Sequence, residues 1–252
     1  MENKKPLEVV VTSGGTVSRV DDVRHIGNFS TGETGAKIAE EFLKRGAKVH
    51  YVYGHQARRP FRRSMDLDPE KELDGELERL RMVHKEFGEY GANLSEYSAA
   101  AFEDYHSTLQ DLMTRDIDVV VLAAAVGDYS ADKQDGKLSS DLDEMNVKLK
   151  RNAKVISEVK KWRPEVFQVG FKLLADVSKE KLVQKSYNHG YKNGSDMTVA
   201  NTMPSLGKES MTLILHKDKD STRATEVTRD ELAGKLVDLV YDGLEVKENV
   251  VA

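Results

Sequence analysis

DVVVLAAAV, residues 118–126, decides the fold class. It is an unbroken apolar run, rich in β-branched residues and too short for a helix of ordinary length, so it reads as a strand buried on both faces. Working outward, similar runs recur along the chain. LEVVVTS (7–13) and AKVHYVYG (47–54) precede it; VFQVGF (166–171), DMTVAN (196–201) and MTLILH (211–216) follow it. Helical patterns separate them. Over 34–45, Ile38, Ala39, Phe42 and Leu43 share one face and Gly46 supplies a stop. Further helices are expected over 152–162, about 178–193 and about 228–243, with a short strand over 145–150. Strands alternating with helices predict an α/β fold: a Rossmann-like, doubly wound, mainly parallel sheet with helices on both faces. We expect one domain over 1–252, with a charged helical insertion at about 60–110 (mostly helical over 66–115) and a mobile polar flap at about 129–144.

Bulk composition narrows the function. The chain has 252 residues, a formal net charge of −5 and no cysteine. Disulfides, thiolate metal sites and a cysteine nucleophile are excluded, and a reducing, cytoplasmic setting is expected. The acidic balance argues against a dedicated nucleic-acid binder. No apolar run is long enough to span a membrane, and MENKKPLEVVV at the N-terminus does not read as a secretory signal. The histidines lack metal-ligand spacing, so no site built by protein side chains alone is expected for a metal.

Sheets of this class bind ligands at the carboxyl ends of their strands, and the unusual residues fall there. TSGGT (12–16) follows the first strand; its glycines would let backbone N–H groups approach a phosphate, or simply make a tight turn. NFSTGETG (28–35) enters a helix with more donors than a cap requires. Ser30, Thr31 or Thr34 could cap it, and its N-terminal amides favour an anion. Two such loops suit a nucleotide. AAAVGDY (123–129) places Asp128 at the end of the central strand, where it could hold a sugar hydroxyl, a metal or a polar substrate group, or merely cap a turn. Lys137 lies in the flap, where a cation can neutralise phosphate charge on closure. Arg58, Arg59, Arg62 and Arg63 read as a solvated basic loop, or else a phosphate or RNA contact.

VTSGGT, DDVRHIGNFSTGETG, AAAVGDY, GKLSS, KLKRNAKVI, VGFKLLADV and DMTVANT, in this order, resemble the phosphopantothenate–cysteine ligase family. The resemblance covers nearly the whole chain outside roughly 60–110, in the manner of the monofunctional form. It implies a step of coenzyme A biosynthesis. The 4′-phosphopantothenate carboxylate attacks a nucleoside triphosphate, with Mg²⁺ assisting, to form an acyl-nucleotide and pyrophosphate. The cysteine amine then displaces the nucleoside monophosphate. Carried over by motif, Gly14, Gly15, Thr16, Ser30, Thr31 and Gly32 would surround the phosphates. Asn28 would hold the acyl-nucleotide, and Ala124 and Asp128 would line the nucleotide pocket, with Phe171 near the base. Lys137 would sit on the flap. Arg24 would grip the substrate phosphate, often across a homodimer interface.

The chain departs from the family pattern in three places. Asp22 stands where most members carry proline, the flap has one lysine in GKLSS, and the charged segment 66–115 is long. CTP is the expected triphosphate and ATP the alternative. Two other readings compete. One is an NAD(P)-dependent oxidoreductase, which rests on a lone YxxxK at Tyr129–Lys133 outside a helical pattern. The other is a non-catalytic nucleotide-binding protein.

Overall fold

The computed structural model describes residues 5–141, 143–203, 210–218 and 221–251. Its strands are β1 (Glu8–Ser13), β2 (Val17–Arg19), β3 (His25–Gly27), β4 (Lys48–Tyr53), β5 (Leu94–Ser98), β6 (Val119–Leu122), β7 (Tyr129–Ala131), β8 (Leu149–Arg151), β9 (Phe167–Ala175), β10 (Met197–Met203), β11 (Thr212–Asp218) and β12 (Ser221–Glu226). The α-helices are α1 (Glu33–Lys44), α2 (Leu73–Tyr90), α3 (Phe102–Met113), α4 (Val159–Trp162), α5 (Lys179–Asn193) and α6 (Leu232–Val251). Among the described residues no helix is long and apolar enough to cross a membrane.

One eight-stranded sheet runs β12-β11-β10-β9-β6-β1-β4-β5. Pairing is parallel from β5 to β10 and antiparallel at β11 and β12. Its side chains follow the two-residue period of a strand. Val9, Val11, Val119 and Val121 point into one core with Ile38, Phe42 and Leu43 of α1 and Leu236, Val237 and Val240 of α6. Val10, Val120 and Leu122 point into the other, against Tyr105, Leu109 and Leu112 of α3 and Val159 of α4. Helix α5 covers the same face as α3. Its Leu182 packs on Ala200, whereas the neighbouring Val199 joins the α1 side. Burial on both faces explains why the sheet strands read as continuous apolar runs.

Several sequence expectations change. The central strand ends at Leu122, because Ala123–Val126 turn into the site. The segment expected to be helical over 66–115 contains β5, the edge strand beside β4. LSEYS has only two apolar residues, Leu94 and Tyr97, which pack against opposite faces of the sheet, so no continuous apolar run marks it as a strand. The expected 152–162 helix is a 3₁₀ turn, Val155–Ser157, followed by the single turn α4. β12, with the sequence STRATE, has too little apolar character to announce itself.

Candidate active site

Strand β1 lies between β4 and β6. The chain winds outward through β4 and β5, then returns across β1 to β6, β9 and β10. A crevice therefore opens past Ser13 and Leu122, where successive connections diverge. TSGGT makes the tight turn at its floor. Gly14 adopts φ +75°, and a Cβ there would lie 2.4 Å from the Ala57 Cβ. Gly15 is squeezed by another loop: a Cβ would lie 2.6 Å from the Asn28 carbonyl oxygen. The Gly15 carbonyl accepts the His55 N–H at 3.0 Å. The Ala125 carbonyl accepts both the Thr16 N–H and the Asn28 Nδ2–H, each at 3.3 Å. Four chain segments thus meet at the glycine turn. Thr16 is buried, and its hydroxyl accepts the Gly127 N–H at 2.9 Å, which fixes the backbone just ahead of Asp128. Ala124 is held similarly, its N–H donating to Thr12 Oγ1 at 3.1 Å.

Helix α1 starts beside this turn, but not with the caps expected. Gly32 is the N-cap, at φ +75°, and no side chain caps the helix. The Thr31 hydroxyl accepts only a long 3.4 Å bond from the Glu33 N–H. Ser13, at the end of β1, donates to the Gly32 carbonyl at 2.9 Å, and Gly35 lets the helix lie against it. The N-terminal turn of α1 therefore reaches the crevice without a capping side chain, an arrangement suited to an anion. A cavity of about 1090 Å³ opens there, lined in part by Asn28, Ser30, Thr31, His25, His55 and Arg58.

The basic run lines the same cavity and is not a freely solvated loop. Arg63 is forked onto Glu40, with Nε at 2.9 Å and Nη2 at 2.8 Å, and reaches Glu33 at 2.8 Å. Arg59 and Arg62 both approach Glu96, at 3.7 and 3.5 Å. Arg58 spans weaker contacts to Glu33 (3.7 Å) and Asp66 (3.9 Å) while its N–H donates to the Thr31 carbonyl at 2.8 Å. Much of the positive charge is thereby matched locally, and Arg58 sits nearest the helix entry.

Arg24 lines a neighbouring cleft of about 350 Å³ that shares Val17, His25 and His55 with the large cavity. Its Nε pairs with buried Asp21 at 2.9 Å, and Nη2 donates to the Leu138 carbonyl at 2.5 Å. The polar segment after β6 is tied to this loop. Its first residues form β7, which pairs antiparallel with β8 of the same chain. The short strand expected over 145–150 is found at 149–151, where it closes a ribbon within the chain. Asp22 accepts the Gly136 N–H at 3.0 Å and pairs with Lys133 at 2.8 Å. Lys137 itself is exposed and lines neither this cleft nor the large cavity.

Asp128 lines a third cleft with Thr16, Asn28 and Asn152, and is ion-paired to Lys154. The Asn152 amide donates to the Gly127 carbonyl at 2.8 Å. Phe171 is half-buried on β9 beside Val199 and packs against the α1-side core, away from these clefts. The structure thus gathers Gly14, Gly15, Thr16, Asn28, Ser30, Thr31, Gly32, Ala124 and Asp128 around one crevice. Arg24 lies next door; Lys137 and Phe171 stand apart. Lys154, Asn152, His25 and His55 are site residues that sequence reasoning left without a role. The only signal for the first two was their place in KLKRNAKVI. Tyr129 and Lys133, the oxidoreductase-like pair, lie on β7 and in a loop, with Lys133 engaged by Asp22. Among the described residues no three His, Asp or Glu side chains converge on a point that could hold a metal ion.

An eight-stranded, mainly parallel sheet with helices on both faces and a crevice at its switch point defines a doubly wound α/β protein. Residues 5–78 and 88–244 match the family of the DNA/pantothenate metabolism flavoprotein C-terminal domain, and the chain belongs to it. It is 31% identical to the coenzyme A biosynthesis bifunctional protein CoaBC of Thermococcus kodakarensis, over 91% of this chain and 50% of that one. It is 28% identical to the phosphopantothenate–cysteine ligase of Mus musculus, over 96% and 83%. The chain spans about half the length of the bifunctional relatives it matches. Among solved structures, the DNA/pantothenate metabolism flavoprotein from Streptococcus pneumoniae superimposes with a TM-score of 0.71 at 26% identity, over 94% of this chain and 99% of that one. A Cab2 mutant complexed with phosphopantothenate-cysteine shares the fold at TM-score 0.78 and 18% identity, over 96% and 89%.

Proposed function

We propose that this chain joins 4′-phosphopantothenate to cysteine through an acyl-nucleotide, using CTP, with ATP the alternative, and releasing pyrophosphate and the nucleoside monophosphate. The observation that carries the reading is the placement of Asn28. It stands between the glycine turn, the uncapped start of α1 and the cleft of Asp128, and it lines both the large cavity and that cleft. Activating a carboxylate with a triphosphate asks a protein for positioning and for donors aimed at phosphate oxygens. The backbone about Gly14, Gly15, Thr16 and Gly32, the hydroxyls of Ser30 and Thr31, and Arg58 fit that task. Asp128 with Ala124 suits the nucleoside, and Phe171 stacks near the base only if β9's end adjusts. The Asn28 amide donates and accepts without adding charge, so it can orient a mixed anhydride's carbonyl. Mg²⁺ would travel with the triphosphate and neutralise its charge, with phosphate oxygens and water as its ligands.

Arg24 would take the phosphate of 4′-phosphopantothenate on its Nη groups, the phosphate displacing the Leu138 carbonyl while Asp21 keeps hold of Nε. The protein would act as a cytoplasmic homodimer. Ile26, Phe29, Tyr129 and Leu149 are exposed around the β2–β3 hairpin and the β7–β8 ribbon, an apolar surface beside the site that a second copy would cover. The test is direct. Incubated with 4′-phosphopantothenate, cysteine, Mg²⁺ and CTP or ATP, the protein should release pyrophosphate only when triphosphate and phosphopantothenate are both present. No turnover with either triphosphate, or turnover of NAD(P)H, overturns the assignment.

A further inference from the structure

The ligation needs a proton acceptor, and the cavity contains a pair of histidines. Free cysteine carries an ammonium group at neutral pH, and an ammonium has no lone pair with which to attack. His25 and His55 stand edge-on to one another, with ring centroids 5.3 Å apart and planes at 67°. Both line the large cavity and the neighbouring Arg24 cleft, so the pair stands where the two openings join. Neither imidazole has a hydrogen-bond partner among the described residues, whereas His50, His106 and His216 are each engaged by another side chain. The other charged side chains of the large cavity are Arg58, Arg59, Arg62, Arg63 and Asp66. A guanidinium has no lone pair with which to accept a proton, and Asp66 faces Arg58 at 3.9 Å. A neutral imidazole is the one group there matched to the transfer.

His55 is the better placed of the two. Its N–H is bonded to the Gly15 carbonyl, and Gly15 is pressed against the Asn28 backbone. The ring therefore springs from a loop that meets, at the Gly14–Gly15 turn, the loop bearing the amide that would hold the acyl-nucleotide. His25, on β3, rests its edge against it.

We propose that His55 is the general base of amide formation, an inference that rests on the ligase reading above. An imidazole nitrogen accepts a proton from the cysteine ammonium. The freed nitrogen lone pair forms the C–N bond at the acyl carbon, and the acyl C–O bond breaks, with its electron pair leaving on the nucleoside monophosphate. The second nitrogen-bound proton is then lost to solvent, leaving a neutral amide, and the imidazolium releases its own proton between turnovers.

The experiment separates the two half-reactions and changes the nucleophile. Wild-type protein and His55→Gln are given phosphopantothenate, Mg²⁺ and triphosphate, and pyrophosphate and acyl product are followed separately with cysteine or hydroxylamine as acceptor. Hydroxylamine is unprotonated at neutral pH and needs no base. His55→Gln should form acyl-nucleotide near the wild-type rate, lose about 10²-fold in transfer to cysteine, and keep transfer to hydroxylamine. Undiminished transfer to cysteine overturns the proposal. So does an equal loss with both acceptors, which makes His55 a binding or structural residue, and so does the cysteine-specific loss appearing in His25→Gln instead. If the wild-type protein itself releases no pyrophosphate, the ligase reading fails first.

Discussion

Asp21 Oδ2 lies 2.9 Å from Arg24 Nε, and the same buried carboxylate binds the flap. Oδ1 accepts the Val23 and Arg24 N–H groups at 2.9 and 2.7 Å, and Oδ2 accepts the Leu138 N–H at 3.1 Å. Burial pushes the Asp21 carboxyl up, but those N–H groups and the Arg24 guanidinium outweigh it and hold it below the usual carboxylate range. One side chain thus orients the arginine proposed for substrate phosphate and anchors residues that follow the central strand.

From this arrangement, Asp21→Asn should release the 136–138 segment. The expected result is faster amide hydrogen exchange at Gly136 and Leu138, and a raised KM for phosphopantothenate. Because the folded carboxyl is depressed, its contribution is complete above about pH 4 and fades as pH falls through the folded value. Wild-type exchange should therefore approach that of Asp21→Asn only in acid. Identical exchange near neutral pH would show that the carboxylate does not hold the segment.

Gly14→Ala tests the floor of the crevice. A methyl group at φ +75°, 2.4 Å from the Ala57 Cβ, forces the turn to move. A loss of about 1–3 kcal/mol in unfolding free energy is expected, with nucleotide binding weakened as well. Stability equal to wild type by denaturant titration would mean the turn has room that the structure does not show.

Asn28→Asp should fold, since the side chains are nearly isosteric, and should still form acyl-nucleotide. Transfer to cysteine should fail, because a carboxylate cannot donate and repels the developing oxyanion. Acyl-nucleotide would then accumulate, visible by mass spectrometry of quenched reactions. Amide formation at the wild-type rate would reduce Asn28 to a turn residue.

Lys137→Ala addresses the flap. The lysine lines neither of the two neighbouring cavities, so its part would come in a closed, reacting state. Turnover should fall about 10²-fold, while nucleotide affinity changes much less. An unchanged rate makes it a surface charge.

Glu76 gives a prediction about stability alone. Its hydrogen bonds from Arg79, at 3.0 and 2.7 Å, come first, and the Asp68 N–H at 2.9 Å adds to them; together they lower its pKa to about 2. The contribution is full above the unfolded value of about 4.3 and is lost as pH falls towards the folded one. Glu76→Gln should lower Tm at neutral pH, and the gap from wild type should close in acid. A gap independent of pH would assign the effect to packing.

Sequence alone determined a mainly parallel sheet, which apolar runs along the chain are its strands, and the loops bearing Gly14, Asn28 and Asp128. These are local properties: buried strands are apolar runs, and tight turns need glycine. The family resemblance, too, was carried by short ordered motifs. Only the tertiary structure decided the order of the strands across the sheet, that LSEYS is an edge strand, that STRATE joins the sheet, and that 129–131 pairs with 149–151 inside one chain. Pairing of that kind depends on partners distant in sequence, which short polar strands do not announce. It also decided the charges. Arg63 became a partner of Glu40 and Glu33, and Asp21 and Asp22 became anchors for 133–138, while His25 and His55 met from separate loops. A titratable side chain is defined by what the fold brings beside it, and that neighbour is not written next to it in the chain.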